Sequence, residues 1–521
     1  MDDTRRKGII ISAIIWLVIL AGLAVAGKKF VYPLIKARLA RQTGSESQYK
    51  VRVPFAADAF SGYAVLRSPA FAKILKDDGV KIEIEDDKAD YTARMKALQK
   101  GDAQMAVFTI DSFLKARVEV GADPATIVAV IDQTVGADAI VAYKDAVAKV
   151  QDLDDPKAKF VLTSNSPSEF LARTALASFS LPLLPEQWFE GLSGAGDVFK
   201  QMKAADPKAK RAYVLWEPYV SQALALPGTH VIYDSSKCRD RIVDILVVRR
   251  EFLAEHADIV QTIVAAYFRA QYSYENQTDG MVTLVMEDAK AGGEPLSEDQ
   301  AKSVVKGIQW KRVLENYAHF GIAPTPGIQP LEDIIPQIGG ILTKTHAVSK
   351  DPIGGKPTDL YYDGVMRKLH AENFHPGKKA DAIVDVGLGT QNLDPARAAA
   401  ELPAIPEAEW EKLTVIGNAR VEPIGFQRGT ATISDLSQAD LDQLATNLGS
   451  WAQYYLRVVG RARSEGDAAA NAMLAKERAD AVVQYLVSRG VSAKRLHAEL
   501  VKPNGDAGAA EVGFVLVQRS Y

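Results

Sequence analysis

A chain of 521 residues is too long for one ordinary core, and its length points to about two to four domains. Hydrophobic residues at 47% and charged residues at 24% are the balance of a folded protein, and a net charge of −3 offers no basic face for nucleic acid. The single cysteine, Cys238, excludes an internal disulfide framework and a paired-cysteine zinc site; seven scattered histidines form no HExxH-like pair, so neither metal nor other cofactor is expected.

The first element is apolar. Gly8 to Gly27, "GIIISAIIWLVILAGLAVAG", is uncharged throughout and about the length that spans a bilayer as a helix. Arg5, Arg6 and Lys7 precede it and Lys28 and Lys29 follow, so flanking charge hardly sets its direction. Ala24-Val25-Ala26 also fits a signal-peptide cleavage pattern, but the run is longer than a usual cleaved core, and an uncleaved single-pass anchor is the expectation. It carries no ionisable group, so it conducts no protons by itself. The expected location is the inner membrane, with the bulk of the chain in the periplasm.

After a basic, amphipathic stalk at 30–48, strands and helices alternate. "YKVRVPFAA" reads as a strand, "SPAFAKILKDDG" as a helix closed by Gly79, "VKIEIEDD" as a strand, "YTARMKALQKGD" as a helix and "AQMAVFTI" as a buried strand. Further strands are expected at "TIVAVID", "DAIVAYK", "AKFVLTS", "RAYVLW", "HVIYDS" and "IVDILVVRR", with a helix at "PSEFLARTALASF". Residues 251–320 read as helical and 321–375 as mixed. Such alternation predicts an α/β fold with mainly parallel sheets. Residues 376–409, rich in Gly, Ala and Pro, read as a linker with a short strand at "AIVDVG". From Trp410 a second, α+β domain is expected to run to Tyr521.

Strand ends in the first domain carry the polar residues that a ligand would meet. These are Phe60-Ser61-Gly62-Tyr63, Asp111-Ser112, Asp138, Ser164-Asn165-Ser166 and Trp216-Glu217-Pro218-Tyr219. Helix capping explains Ser61, Asp111 and the 164–168 run equally well. Asp58, Asp111, Asp138 and Glu217 together predict a ligand with an amine or protonated ring, an acidic group alongside it remaining open.

The phrases "VPFAADAFSGYAVL", "RMKALQKGDAQMAVFTIDSFL", "DQTVGADAIVA", "LWEPYVSQAL" and "ILVVRREFLAEHADIVQTIVAAYFRAQ" follow in that order. Together they resemble the periplasmic substrate-binding proteins of the nitrate, sulfonate and thiamine-precursor type. That resemblance implies a two-lobed fold, with lobe one at about 49–138 and 247–375 and lobe two at about 139–246, and a small molecule bound between them. A few thiamine-precursor relatives are enzymes, but the cysteine cluster they use is absent and no nucleophile has a base beside it, so no catalytic residue is assigned.

In the second domain, "LRVVGRARSEGD" precedes "NAMLAKERADAVVQYLVSRGVSAKRL". Ala475, Ala479, Val482, Val483 and Leu486 form an apolar stripe, and Gly490 closes the helix. Asn471, Leu474, Arg478 and Ala479 resemble the N-x-x-L-S-x-x-R-A helix of OmpA-like peptidoglycan-associated domains. In that family an Asp before the helix and the helix Arg hold diaminopimelate, a zwitterion suited to such a pair. Here Arg463 stands at the acid's position, while Asn471 and Arg478 are kept. Two guanidinium groups would repel an ammonium and attract carboxylates, unless Glu465 or Asp467 takes the acid's place.

Two functions follow. One is an anchored solute-binding protein tethered to the cell wall or envelope, with a small-molecule ligand and, if the wall is bound, peptidoglycan as partners. The other is a scaffold or sensor that passes ligand state to an inner-membrane protein, with peptidoglycan binding lost or altered. The anchor-plus-OmpA layout resembles flagellar stator subunits, but their membrane acid is missing here.

Overall fold

The computed structural model describes residues 49–377, 402–451, 454–462, 467–501 and 512–519. The expected anchor, Arg463, Glu465 and the "AIVDVG" strand lie outside them. Among the described residues no helix is long and apolar enough to cross a membrane.

Lobe one is built on six strands in the order β11-β4-β10-β3-β1-β2. They are β1 (Val51–Ala57), β2 (Val80–Asp86), β3 (Met105–Thr109), β4 (Ala125–Thr134), β10 (Val243–Arg249) and β11 (Ile308–Trp310). Lobe two has five, in the order β7-β6-β8-β5-β9. These are β5 (Asp138–Tyr143), β6 (Lys159–Thr163), β7 (Phe189–Leu192), β8 (Arg211–Trp216) and β9 (Thr229–Asp234). The chain crosses between lobes twice, from β4 into β5 and from β9 into β10.

The helices form where local chemistry starts and stops them. In α1 (Pro69–Asp77), Ser68 accepts from the Phe71 N–H at 3.1 Å and Pro69 opens the first turn. In α2 (Tyr91–Lys100), Asp90 accepts from the Ala93 N–H at 2.9 Å, and Gly101, with φ of 81°, ends the helix where other residues would be strained. The helices that flank the cleft are α3 (Ile110–Val120), α4 (Pro167–Ser178), α5 (Glu298–Gly307) and α6 (Leu331–Lys344).

The sheets are mixed, which corrects the expectation of mainly parallel ones. β1 pairs parallel with β2 and β3, and β6 with β7 and β8. The crossing strands run the other way: β10 is antiparallel to β3 and β4, and β5 to β8 and β9. A strand that returns from another lobe enters its sheet from the opposite end, so the crossovers themselves impose this reversal. β11 also corrects the helical reading of 251–320; three residues show no period, and their antiparallel pairing with Asp132–Thr134 makes them a strand.

The crossings are tied together. The Gly136 N–H donates to Ser235 Oγ at 2.8 Å, and the Val135 N–H to the Gly307 carbonyl at 2.7 Å. A Cβ on Gly307 would run into Ala137, so α5 lies directly against the first crossing.

The C-terminal domain has four strands in the order β12-β15-β13-β14, over Thr414–Asn418, Val512–Gln518, Tyr455–Arg461 and Leu496–Val501. Two helices, α7 (Asp435–Ser450) and α8 (Ala468–Ser488), accompany this sheet. Packing begins ahead of Trp410: Ile405 and Trp410 are buried with Tyr455 and Val517. Ala475, Ala479, Val482 and Leu486 are buried, as the stripe predicted, and Val483 is half-buried. The helix comes so close to β13 that a Cβ on Gly460 would meet the Ala475 carbonyl. Gly460→Ala should therefore overpack this contact and destabilise the domain by about 1–3 kcal/mol, read as a lowered unfolding midpoint for its helices.

Candidate functional site

The cleft is closed by contacts between the lobes' own side chains. Lys115 on α3 donates to Asn165 Oδ1 at 2.6 Å and pairs with Glu169 at 3.3 Å. Glu169 also pairs with Arg173 at 2.7 Å, and Arg173 reaches the Thr345 carbonyl of lobe one at 2.6 Å. Burial works against the Glu169 charge, yet Lys115 and Arg173 outweigh it and hold its carboxyl below the ordinary range. On another contact Glu217 Oε1 accepts from Ser221 Oγ at 2.8 Å and from Ser303 Oγ of lobe one at 3.0 Å.

Between these groups lies a void of about 10 Å³ lined by Asp111, Ser112, Lys115, Asn165, Glu169 and Arg173 among others. That is room for about one water. Three sequence candidates, Asp111, Ser112 and Asn165, therefore meet here across the lobes. Asp111 is 5% exposed, its Oδ1 has no donor among the described residues, and burial pushes its carboxyl up to about 7. It is not the helix cap: Thr109 occupies that position, and its Oγ1 lies 2.6 Å from Ser112 Oγ. Asn165 sits at φ 55°, a conformation asparagine tolerates, and its N–H donates to Glu169 Oε2 at 2.7 Å.

The other candidates are placed differently. Asp138 and Trp216 are opposite partners on β5 and β8, next to Glu217. Burial pushes the Asp138 carboxyl up to about 7, with the Glu217 charge adding to the rise. Ser164 is exposed beside Gly191 of β7. Phe60 and Ser61 are half-buried, and Phe60 packs edge-on against Tyr63 with centroids 5.3 Å apart. Tyr63 is turned inward; it is 1% exposed and its hydroxyl donates to Asp244 Oδ1. Asp58 is held by the buried Arg94 guanidinium at 2.9 Å, which also binds Asp87 at 2.5 Å. Asp58 thus shares a single guanidinium with Asp87 within lobe one.

Sequence reading missed the acids with the fewest partners. Asp132 on β4 and Asp244 on β10 are register partners, both wholly buried. Among the described residues, neither oxygen of Asp132, nor Oδ2 of Asp244, finds a donor outside the pair. Burial pushes both carboxyls up; the like charge of Asp132 raises Asp244 further, while a hydrogen bond with Asp244 eases the rise at Asp132, the pattern of two acids that share one proton. Tyr63, Tyr267, Asp58, Asp138 and Lys311 surround them. Pairing of two strands that lie more than a hundred residues apart was the only signal, and no local spacing contains it.

In the C-terminal domain Arg478 stacks on Phe426 at 4.8 Å and its Nε donates to the Thr430 carbonyl at 3.0 Å. Asn471 lies in the first turn of α8, and its N–H donates to the Asp467 carbonyl at 2.9 Å. Asp467, a candidate replacement acid, caps that helix by accepting from Ala469 and Ala470. Arg463 lies outside the described residues.

The architecture is thus a two-lobed, binding-protein-like α/β unit followed by an OmpA domain, and residues 425–507 match the OmpA family. Among solved structures, the periplasmic aliphatic sulphonate binding protein of Escherichia coli is similar, at 17% identity and a TM-score of 0.46, over 61% of this chain and 99% of that one. The alkanesulfonate-binding protein of Xanthomonas axonopodis pv. citri bound to MOPS aligns at 14% and 0.45, over 60% and 99%. The periplasmic nitrate-binding protein of Synechocystis aligns at 13% and 0.37, over 59% and 91%. Comparison with curated proteins returns no match.

The shared proton sets a pH dependence. Carboxyls raised in the folded state contribute stability below their unfolded range near pH 4, and lose it as pH rises through the folded value. Asp132→Asn should flatten this loss, measured as the pH profile of the unfolding midpoint; the pair's own share of the decline is about 1.4 kcal/mol per pH unit from about pH 4 upward for one proton, and the share of Asp111 and Asp138 should persist in the variant.

Proposed function

We propose that the chain is an envelope protein that captures a small molecule bearing a cationic nitrogen between its two lobes. In this reading Gly8–Gly27 anchors it in the inner membrane, the bulk lies in the periplasm, and the OmpA domain associates with peptidoglycan. It acts by binding and carries no catalytic residue. The observation that supports the ligand class is the Asp111 carboxylate, buried at the interlobe void with Oδ1 lacking a donor. A ligand ammonium would give it the charge-assisted bond that it lacks, while Lys115, one helical turn on, could turn from Asn165 to a ligand carboxylate. None of the similar structures argues for this ligand.

A void of about 10 Å³ favours a second reading, in which the unit is a sensor or scaffold whose lobes close on their own contacts. Native mass spectrometry of the full chain separates the two. Capture predicts a bound small molecule with a basic nitrogen, and a roughly 10- to 100-fold loss of its affinity in Asp111→Asn. A chain that stays empty, or a ligand without a basic nitrogen, would sink the proposal.

Wall association is tested by co-sedimentation of the full chain with purified sacculi. The chain is expected to pellet, and Arg478→Ala to pellet at least several-fold less, because that guanidinium also holds the 426–433 loop. Failure of the unaltered chain to pellet would remove the wall from the function.

A further inference from the structure

Among the described residues, backbone hydrogen bonds attach the C-terminal domain to the binding unit at two places. The first is on lobe two, where Phe179 and Ala419 form an antiparallel bridge. The Ser180 N–H donates to the Asn418 carbonyl at 3.1 Å and the Arg420 N–H to the Ser178 carbonyl at 2.7 Å. Gln151 closes the arrangement, accepting from Asn418 at 3.1 Å and donating to the Ser180 carbonyl at 2.9 Å. A Cβ on Gly417 would stand 2.8 Å from the Phe179 ring, so the fit depends on glycine. The second is on the hinge. Between β9 and β10 the Arg239 N–H donates to the Ser450 carbonyl at the end of α7, at 2.8 Å. Lys237 lies over the ring of Tyr454 at 5.8 Å, and Tyr454 is 1% exposed.

Toward lobe one the arrangement changes. A groove of about 740 Å³ separates α6 from the C-terminal domain. Glu332, Asp333 and Gln337 line one wall, Thr446, Arg489 and Arg495 the other. Gln337 is itself bonded to Arg241 of the hinge at 2.6 Å. The domain is thus fastened to lobe two and the hinge by backbone bonds, whereas it meets lobe one across this groove and, at the end of α6, through the charges of Arg420, Glu422 and Asp440 around Lys344. A rotation about the two crossings would carry it with lobe two and change the width of the groove.

We propose that docking of the C-terminal domain and closure of the interlobe cleft are one coupled equilibrium. The domain pins the hinge in the closed arrangement, and the ligand state of the cleft is passed on as the domain's position against lobe one. By reciprocity, a partner that pulls the domain off its dock loosens the cleft. The proposal rests on the capture reading only for the identity of the signal; the coupling itself needs no ligand.

Hydrogen exchange on the full chain, without added ligand, tests it. Gly417→Leu breaks the lobe-two contact and Tyr454→Ala the hinge contact, so a local folding defect in one does not mimic the other. Each should speed exchange in the cleft segments 164–173, 217–221 and 298–307 by about tenfold, within the usual range of such couplings. If the dock amides at 415–420 lose protection while the cleft segments keep theirs, the coupling is refuted. It is equally refuted if neither region responds, since it rests on these two contacts. An empty cleft in mass spectrometry beside coupled exchange would refute solute capture alone.

Discussion

Asp132 and Asp244 face each other on β4 and β10, the strand that leaves lobe one and the strand that returns to it. Two carboxylates cannot share a dry site as anions, so the proton between them joins the strands across which the lobes connect. The ties further along the crossings depend on this pairing keeping its register. The Gly136–Ser235 and Val135–Gly307 bonds both lie within a few residues of it.

The cleft shows the same economy of charge. Lys115, Glu169 and Arg173 satisfy one another across the lobes, and Glu217 bridges to Ser303. Each such bond contributes about 0.5–1.5 kcal/mol net, and about 1.5–3 kcal/mol when a charged group takes part. A typical ligand pocket is hundreds of Å³, so any captured molecule must first open these lobes and then recover what it displaced. Its apparent affinity is reduced by the fraction of time the cleft stands open. Whatever fixes that fraction fixes the response, and a domain hydrogen-bonded to the hinge is placed to do so.

Much of the fold was legible because its signals are local. Ser68 before Pro69, Asp90 before Tyr91 and the glycines at 79 and 101 announce helix ends, and the apolar runs at 105–109 and 126–132 announce buried strands. Strand direction was not legible: nothing within "IVDILVVRR" tells that it enters its sheet from the opposite side. The site divides in the same way. Asp111, Ser112 and Asn165 were found as strand-end residues, whereas Lys115, Glu169 and Arg173 read as ordinary helical charges until two lobes bring them together. Asp132 and Asp244 sit inside apolar runs where an isolated acid looks like an accident. Only the antiparallel register of two distant strands makes them a pair.

The C-terminal domain keeps its family's helix while reassigning the charges around it. Asp467 is occupied as a cap, and Arg478 is turned toward Phe426 and the Thr430 carbonyl. Of the two acids that could replace the one missing at 463, Asp467 is thus engaged by the helix, while Glu465 lies outside the described residues. At another surface the same domain bonds to the hinge, the Ser450 carbonyl accepting from the Arg239 N–H. A backbone bond at the point where the lobes connect leaves the domain and the interlobe cleft on one mechanical element, and that shared element is the physical ground for coupling the two.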